Sequence, residues 1–261
     1  MSLDFDGARL PNPYLTEDHE AWRDQLRKFI DSELMPYANQ WEEDHKVPDE
    51  IFPKAAEVGM FAVGYPEAYG GLTEGLDVWH GNIIYEELAR LGAGGVGAAL
   101  TVHGISLPTI FKLASEEVKQ EVGPAVISGE KRISLAVTEP GAGSDVAQLI
   151  TTAVCDGDFY IVNGSKTFIT NGQTANLICL VVKTQRDAGA RGISLLMIET
   201  DQVDGFRRGQ NLDKIGLKGQ DTSELFFDDM LVPEGNILGL EPGQGFYQLM
   251  NQLPWERLAI G

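Results

Sequence analysis

The chain has 261 residues, 43% of them hydrophobic and 23% charged, with a formal net charge of -19 at pH 7. That is enough chain to bury a good core in one large or two smaller domains. So acidic a balance argues against a general nucleic-acid binder and against electrostatic docking on anionic lipid, but leaves room for an anionic small ligand held by local donors.

The opening Met1–Gly7 stretch lacks a basic start and an apolar core, and it is acidic where a transit peptide would be Arg-rich. The expectation is a cytoplasmic protein, or a mature form without its leader. No run is expected to reach the roughly 20 apolar residues of a membrane-spanning helix. Cys155 and Cys179 lie in strand-like runs and are expected to be buried free thiols. His19, His45, His80 and His103 show no ligand spacing, so no metal site is expected.

Residues 16–38 carry Trp22, Leu26, Phe29, Ile30, Leu34 and Tyr37 at helical spacing, after a Thr16-Glu17-Asp18 start suited to a cap and first-turn acids. A short helix is predicted over 48–59, closed by Gly59, then a loop over 64–75. Helices follow at about 76–91, 95–114 and 116–128, the last capped by Ser115. The period changes at residue 131 to short strands: 133–138, 150–155, 159–162, 166–170, 177–183, 193–199 and 224–228. Asp156-Gly157, Asn163-Gly164, Asn171-Gly172 and Asp204-Gly205 read as the turns between strands. Without helices between them, the strands predict an antiparallel barrel or sandwich. Helical spacing returns with Phe246, Leu249, Met250, Leu253 and Ile260. The fold class is therefore α+β: an all-α N-terminal domain (1–130), an antiparallel β-barrel domain (131–240) and the start of a C-terminal helical domain (241–261).

Between the helices and the strands stands Ala136-Val-Thr-Glu-Pro-Gly-Ala-Gly-Ser-Asp145. Gly141 and Gly143 would permit positive φ and close approach of another body, and Ser144 and Asp145 can bond backbone or ligand. No Gly-Lys-Ser/Thr follows, so it is not a P-loop; without a third glycine and a βαβ unit it is a poor dinucleotide fingerprint. The same residues also suit a plain interdomain turn. Lys166-Thr-Phe-Ile-Thr170 runs into the next turn, where Phe168 could cover a flat ring and Thr170 offer a hydroxyl, or form an ordinary hairpin. The small-residue run Gly92–Ala99 leaves space for a slender ligand or for close helix packing. Glu256 falls on the apolar stripe of the last helix, two residues after Pro254. A desolvated acid there has the raised pKa a base needs, whereas a solvated Glu256–Arg257 pair would have no such role.

The order of these segments resembles the acyl-CoA dehydrogenase family. Val137–Asp145 and Asn163–Gly172 carry the resemblance, and Lys214–Thr222 and Val232–Leu238 extend it over essentially the whole chain. Gln148 departs from the family's usual small residue. The resemblance implies a helical domain, a β-barrel and a C-terminal helical bundle, of which this chain carries only the first helix. It implies FAD, held by Leu135, Val137, Thr138, Gly143 and Ser144 on one side and by Phe168 and Thr170 on the other. Leu135 stands where several relatives carry Tyr, and Phe168 where many carry Trp. Ser144, Arg257 and Gly95 are the candidates for contact with the acyl-CoA. Leu253-Pro-Trp-Glu256-Arg257 is similar to the long-chain and isovaleryl subset, which implies Glu256 as catalytic base. The implied reaction is α,β-dehydrogenation to the trans-2-enoyl-CoA, with electron-transferring flavoprotein as acceptor and a homotetramer or homodimer as the full assembly. The alternatives are a non-catalytic acyl-CoA-binding or assembly subunit of the same fold, and an acyl-CoA oxidase.

Overall fold

The computed structural model describes residues 10–239 and 241–260, apart from the side chains of Trp255, Glu256, Ala259 and Ile260. The chain forms two compact units: residues 1–101, 127–130 and 214–220 in the first, and 102–126, 131–213 and 221–261 in the second.

The first unit is helical: α1 (Glu17–Phe29), α2 (Ala38–Asp44), α3 (Ile51–Glu57), α4 (Val78–Ala89) and α5 (Gly94–Thr101). Its core joins Leu26, Phe29, Ile30 and Leu34 to Trp41, Phe52, Ile83, Leu88, Val96 and Leu100. The predicted apolar stripe of the first helix holds as far as Leu34. There the helix passes into a π-turn (Ile30–Leu34), with the Met35 amide on the Ile30 carbonyl at 2.8 Å. The extra residue advances the face, so Tyr37 points outward and is exposed. Arg23, Arg27 and Arg90 converge on the buried Glu87 carboxylate and join α1 to α4.

The second unit holds α6 (His103–Leu113), α7 (Glu116–Ile127) and a seven-stranded sheet, followed by α8 (Gly245–Ile260). The strands are β1 (Ile133–Ala136), β2 (Thr152–Asp156), β3 (Phe159–Thr170), β4 (Leu177–Lys183), β5 (Ile193–Glu199), β6 (Phe206–Asn211) and β7 (Thr222–Pro233). Ser115 caps α7, its hydroxyl accepting from the Val118 amide at 3.3 Å.

The sheet departs from the purely antiparallel expectation. β2/β3, β3/β7, β4/β5 and β6/β7 are antiparallel, but β1 runs parallel to β4, and β2 meets the end of β4 in parallel. The crossover from β1 to β4 is made by the β2–β3 hairpin rather than by a helix, which a helix-based reading of parallel pairing misses. Strand β4, paired on both edges, is buried almost throughout, as such a strand must be. Asn163-Gly164 is no turn: β3 runs through it, with a register shift that leaves Gly164 at φ 148°. A Cβ there would lie 2.6 Å from the Thr151 hydroxyl, so glycine is required by close approach. Strand β6 went unpredicted because Phe-Arg-Arg-Gly-Gln-Asn lacks apolar alternation; Arg207 and Arg208 lie over the Phe226 and Phe206 rings instead.

Two further expectations are corrected. Cys155 is exposed, because β2 is solvent-facing over its last three residues, while Cys179 on β4 is buried as expected. Gly94–Leu113 is long and apolar enough, by length and composition, to cross a membrane. Val96 and Leu100 of this run, however, are core residues of the first unit, and Leu107 and Ile110 are buried in the second.

Candidate active site

The Ala136–Asp145 segment begins where β1 ends. Glu139 and Ala142 exchange backbone hydrogen bonds at 2.9 and 3.1 Å, folding the Pro140-Gly141 pair into a tight turn. Asp145 then caps a single 3-10 turn by accepting from the Ala147 amide at 3.2 Å. Contrary to the sequence expectation, neither Gly141 nor Gly143 is among the glycines at positive φ. A Cβ on Gly141 would meet nothing within 4 Å, and one on Gly143 would only touch Thr138 Cγ2 at 4.0 Å. The chain's own packing therefore does not call for glycine at either place; both leave the outside of the turn open.

β3 lies beside this segment and carries the most strained residue of the site. The β3/β7 register slips between Lys166 and Ile169, and Phe168 occupies the bulge with φ 59°. A bulky side chain at positive φ is a genuine outlier. Lys166, Thr167 and Ile169 point inward, while the Phe168 ring is 67% exposed. The Thr167 amide donates to the Thr138 carbonyl at 2.8 Å, and Ser134 Oγ donates to the Thr170 carbonyl at 2.5 Å. Val137, Thr138, Phe168 and Thr170 are thereby brought together. Among the described residues, no hydrogen bond occupies the hydroxyls of Thr138, Ser144 or Thr170.

Beneath them is a fully buried ion pair that sequence reasoning missed. Lys166 Nζ donates to Glu139 Oε1 at 2.8 Å and to the Val137 carbonyl at 2.9 Å. The Glu139 carboxylate also accepts from the Ile150 amide at 2.6 Å and the Thr151 amide at 3.0 Å. Burial pulls the Lys166 ammonium down to about 8, against the attraction of Glu139, so it stays charged at neutral pH. For Glu139, burial pushes the pKa upward but is outweighed by the lysine and the amide donors, so the carboxyl titrates below the ordinary carboxylate range. On the other side of the bulge, Asp221 fixes the turn after β3, accepting from the Gln173 amide and the Thr174 hydroxyl, each at 2.7 Å.

Of the remaining candidates, Leu135 is half-buried on β1, Gly143 and Ser144 are exposed on the turn, and Arg257 is exposed on α8. Glu256 lies on the backbone of α8, but its side chain is outside the described residues, as is that of Ile260. Gly95 belongs to the first unit; its amide donates to Glu42 Oε1 at 2.6 Å, and a Cβ there would lie 2.5 Å from the Gly219 amide nitrogen. Close packing accounts for that glycine.

His19, Asp77 and His80 gather in the first unit, with ligand-type atoms within 4.8 Å of one another. Backbone amides already occupy both rings: Thr16 N–H donates to His19 Nδ1 at 3.0 Å, and Asp77 N–H to His80 Nδ1 at 3.2 Å. His19 Nε2–H is then left to donate to Asp77 Oδ1 at 2.9 Å. The His19 bond, the largest cause, together with the His80 ring and the Trp79 amide, which donates to Asp77 Oδ1 at 2.9 Å, holds the Asp77 carboxyl down at about 2. The arrangement is a pair of helix caps sharing one acid, which accounts for each ring without a metal.

These features define an α+β protein whose β unit presents an exposed aromatic, unengaged hydroxyls and an open glycine turn side by side, chemistry that fits the edge and face of a flat heteroaromatic ring. The acyl-CoA dehydrogenase N-terminal domain profile matches residues 16–130, and the acyl-CoA dehydrogenase middle domain profile matches residues 134–230. The chain belongs to the acyl-CoA dehydrogenase family. It is 40% identical to the mitochondrial long-chain specific acyl-CoA dehydrogenase of Sus scrofa, over 94% of this chain and 56% of that protein. The acyl-CoA dehydrogenase from Geobacillus kaustophilus superposes with a TM-score of 0.89 at 45% identity, over 96% of this chain and 65% of that one. A glutaryl-CoA dehydrogenase from Mycobacterium smegmatis, determined in complex with FADH2, superposes with a TM-score of 0.84 at 28% identity, over 94% and 61% of the two chains. The chain thus spans about half to two thirds of the length of these relatives.

Proposed function

We propose that the protein dehydrogenates an acyl-CoA thioester across Cα–Cβ to the trans-2-enoyl-CoA, with FAD as cofactor. The observation that carries this is the meeting of Val137 and Thr138 with Phe168 and Thr170, held so that the Phe168 ring is exposed beside two half-buried threonines. FAD, when bound, supplies the acceptor for the hydride that leaves Cβ. Phe168 would cover the ring, Thr138, Ser144 and Thr170 would bond its polar edge, and the open face at Gly141 and Gly143 admits a close-lying body. Glu256 would take the α proton, its acidity weakened by the apolar stripe on which it falls. Ser144 and Arg257 would contact the acyl-CoA, with Gly95 shaping the first unit. Electron-transferring flavoprotein as acceptor, a cytoplasmic setting and a homotetramer or homodimer complete the reading.

The test is anaerobic addition of acyl-CoAs of graded length to flavin-loaded protein. Bleaching of the long-wavelength flavin band is expected, and Glu256→Gln should slow it by about 100-fold or more while acyl-CoA still binds. Undiminished bleaching in Glu256→Gln would remove the base. Binding without bleaching in the unaltered protein would favour a non-catalytic subunit, and peroxide formation in air would favour an oxidase.

A further inference from the structure

We propose that the Lys166–Glu139 pair is a positioning device for the cofactor face, fixing Val137 and Thr138 against the Phe168 bulge; the proposal rests on the cofactor reading above. Lys166 stands two residues before Phe168, inside the irregular stretch of β3, and its amine is within hydrogen-bond distance of both Val137 O and Glu139 Oε1. The next residue, Thr167, bonds the Thr138 carbonyl. Two consecutive β3 residues therefore hold two consecutive residues of the turn.

Glu139 extends the same hold to a third segment through the Ile150 and Thr151 amides. Both members of the pair are at least nine-tenths buried, and neither touches the open face itself. Their charge is thus not offered to a ligand; what they do reaches the ligand through backbone position. A buried pair of this kind contributes little net stability compared with apolar packing of similar shape, but it specifies one geometry strongly, because either charge left alone is costly. That matches the need here. A phenylalanine in the left-handed region persists only if its neighbours over-determine it.

The experiment compares the unaltered chain with a Lys166→Met/Glu139→Gln double variant. Removing both charges together avoids stranding one, and glutamine keeps an acceptor for the 150–151 amides. Val232→Ala is the control, a core truncation on β7 opposite Tyr160 at the far end of β3. Amide hydrogen exchange of the flavin-free proteins should be about tenfold or more faster at 137–139, 150–151 and 167–170 in the double variant, and unchanged there in the control, even where both melt alike. Titration with FAD, followed by quenching of flavin fluorescence, should show about tenfold weaker binding and an altered visible flavin spectrum for the double variant only. Exchange that stays at the unaltered rate, or rises evenly through the second unit, would overturn the proposal. So would local loosening with the same flavin affinity and spectrum. If the unaltered chain quenches no flavin, the cofactor reading fails separately, and the exchange pattern alone judges the clamp.

Discussion

Phe168 combines backbone strain with an exposed ring, and the two can be separated at one position. The ring is 67% exposed, so truncating it to alanine forfeits only about a third of what a fully buried phenylalanine contributes, roughly 0.7 kcal/mol. Alanine keeps the left-handed strain at φ 59°, and glycine removes it. Relief of about 1.5 kcal/mol is opposed by about 0.7 kcal/mol of added freedom in the unfolded chain, leaving glycine about 0.8 kcal/mol above alanine. In a chain of this size that is a melting difference of about 2–3 °C. Differential scanning calorimetry should therefore rank Phe168→Gly near the unaltered protein and Phe168→Ala below both. The two variants should lose flavin affinity alike, since both lack the ring. A Phe168→Gly protein melting at or below Phe168→Ala would show that the bulge is not strained and that the argument linking strain to the site is wrong.

Gly143→Ala and Gly95→Ala should behave oppositely. The first has room for its Cβ and should keep its melting point within about 1 °C while weakening FAD uptake, whereas the second drives a Cβ to 2.5 Å from the Gly219 nitrogen and should destabilise by about 2 kcal/mol or more, both read by calorimetry and flavin titration. Glu87→Gln should cost about 3 kcal/mol, because three arginines meet that buried carboxylate while Arg23 and Arg90 retain Glu86 and Asp31. Burial raises the Glu87 pKa, but the hydrogen bonds from Arg27 and Arg23 outweigh it, so the carboxyl titrates below its ordinary 4.5. Its stabilisation is thus complete above pH 4.5 and fades as pH falls through the lower folded value. Denaturant melts across that range should show the gap between Glu87→Gln and the unaltered protein narrowing toward acid.

The parts legible in the sequence were those that repeat locally. Ile193–Glu199 and Leu177–Lys183 are short, mostly apolar stretches that read as strands, and the helical spacing through Leu34 survives in the first unit. The turn at 137–145 was legible as an oddity, and the family resemblance gave its residues roles. What the chain hides is pairing at a distance. Lys166 and Glu139 are 27 residues apart, and nothing near either marks it as buried. Nor does anything near Asp221 point to Gln173 and Thr174, 48 and 47 residues earlier. The Asn163-Gly164 pair misled because glycine there serves close approach to Thr151 rather than a reversal of the chain.

Backbone accounting gives a reason for the buried pair that starts below function. The Ile150 and Thr151 amides precede β2, which begins at Thr152, so no ladder reaches them. The 137–142 segment that runs nearby has turned upon itself and spends its own amides on the Glu139–Ala142 exchange. Left without a partner, the buried Thr151 amide would cost about 1–3 kcal/mol, and an acidic side chain reaching back from the turn satisfies it and the part-buried Ile150 amide at once. That acid is then itself buried, and an isolated carboxylate there would be far more costly than the amides it serves. Among the described residues the cation bonded to it is Lys166, whose remaining reach goes to the Val137 carbonyl. An open turn beside a bulge therefore demands the acid, the acid demands the lysine, and the lysine fixes where the bulge sits. A chain that kept the glycine turn but closed the bulge into regular strand would have no use for the pair, and two well-packed apolar residues would serve it equally well.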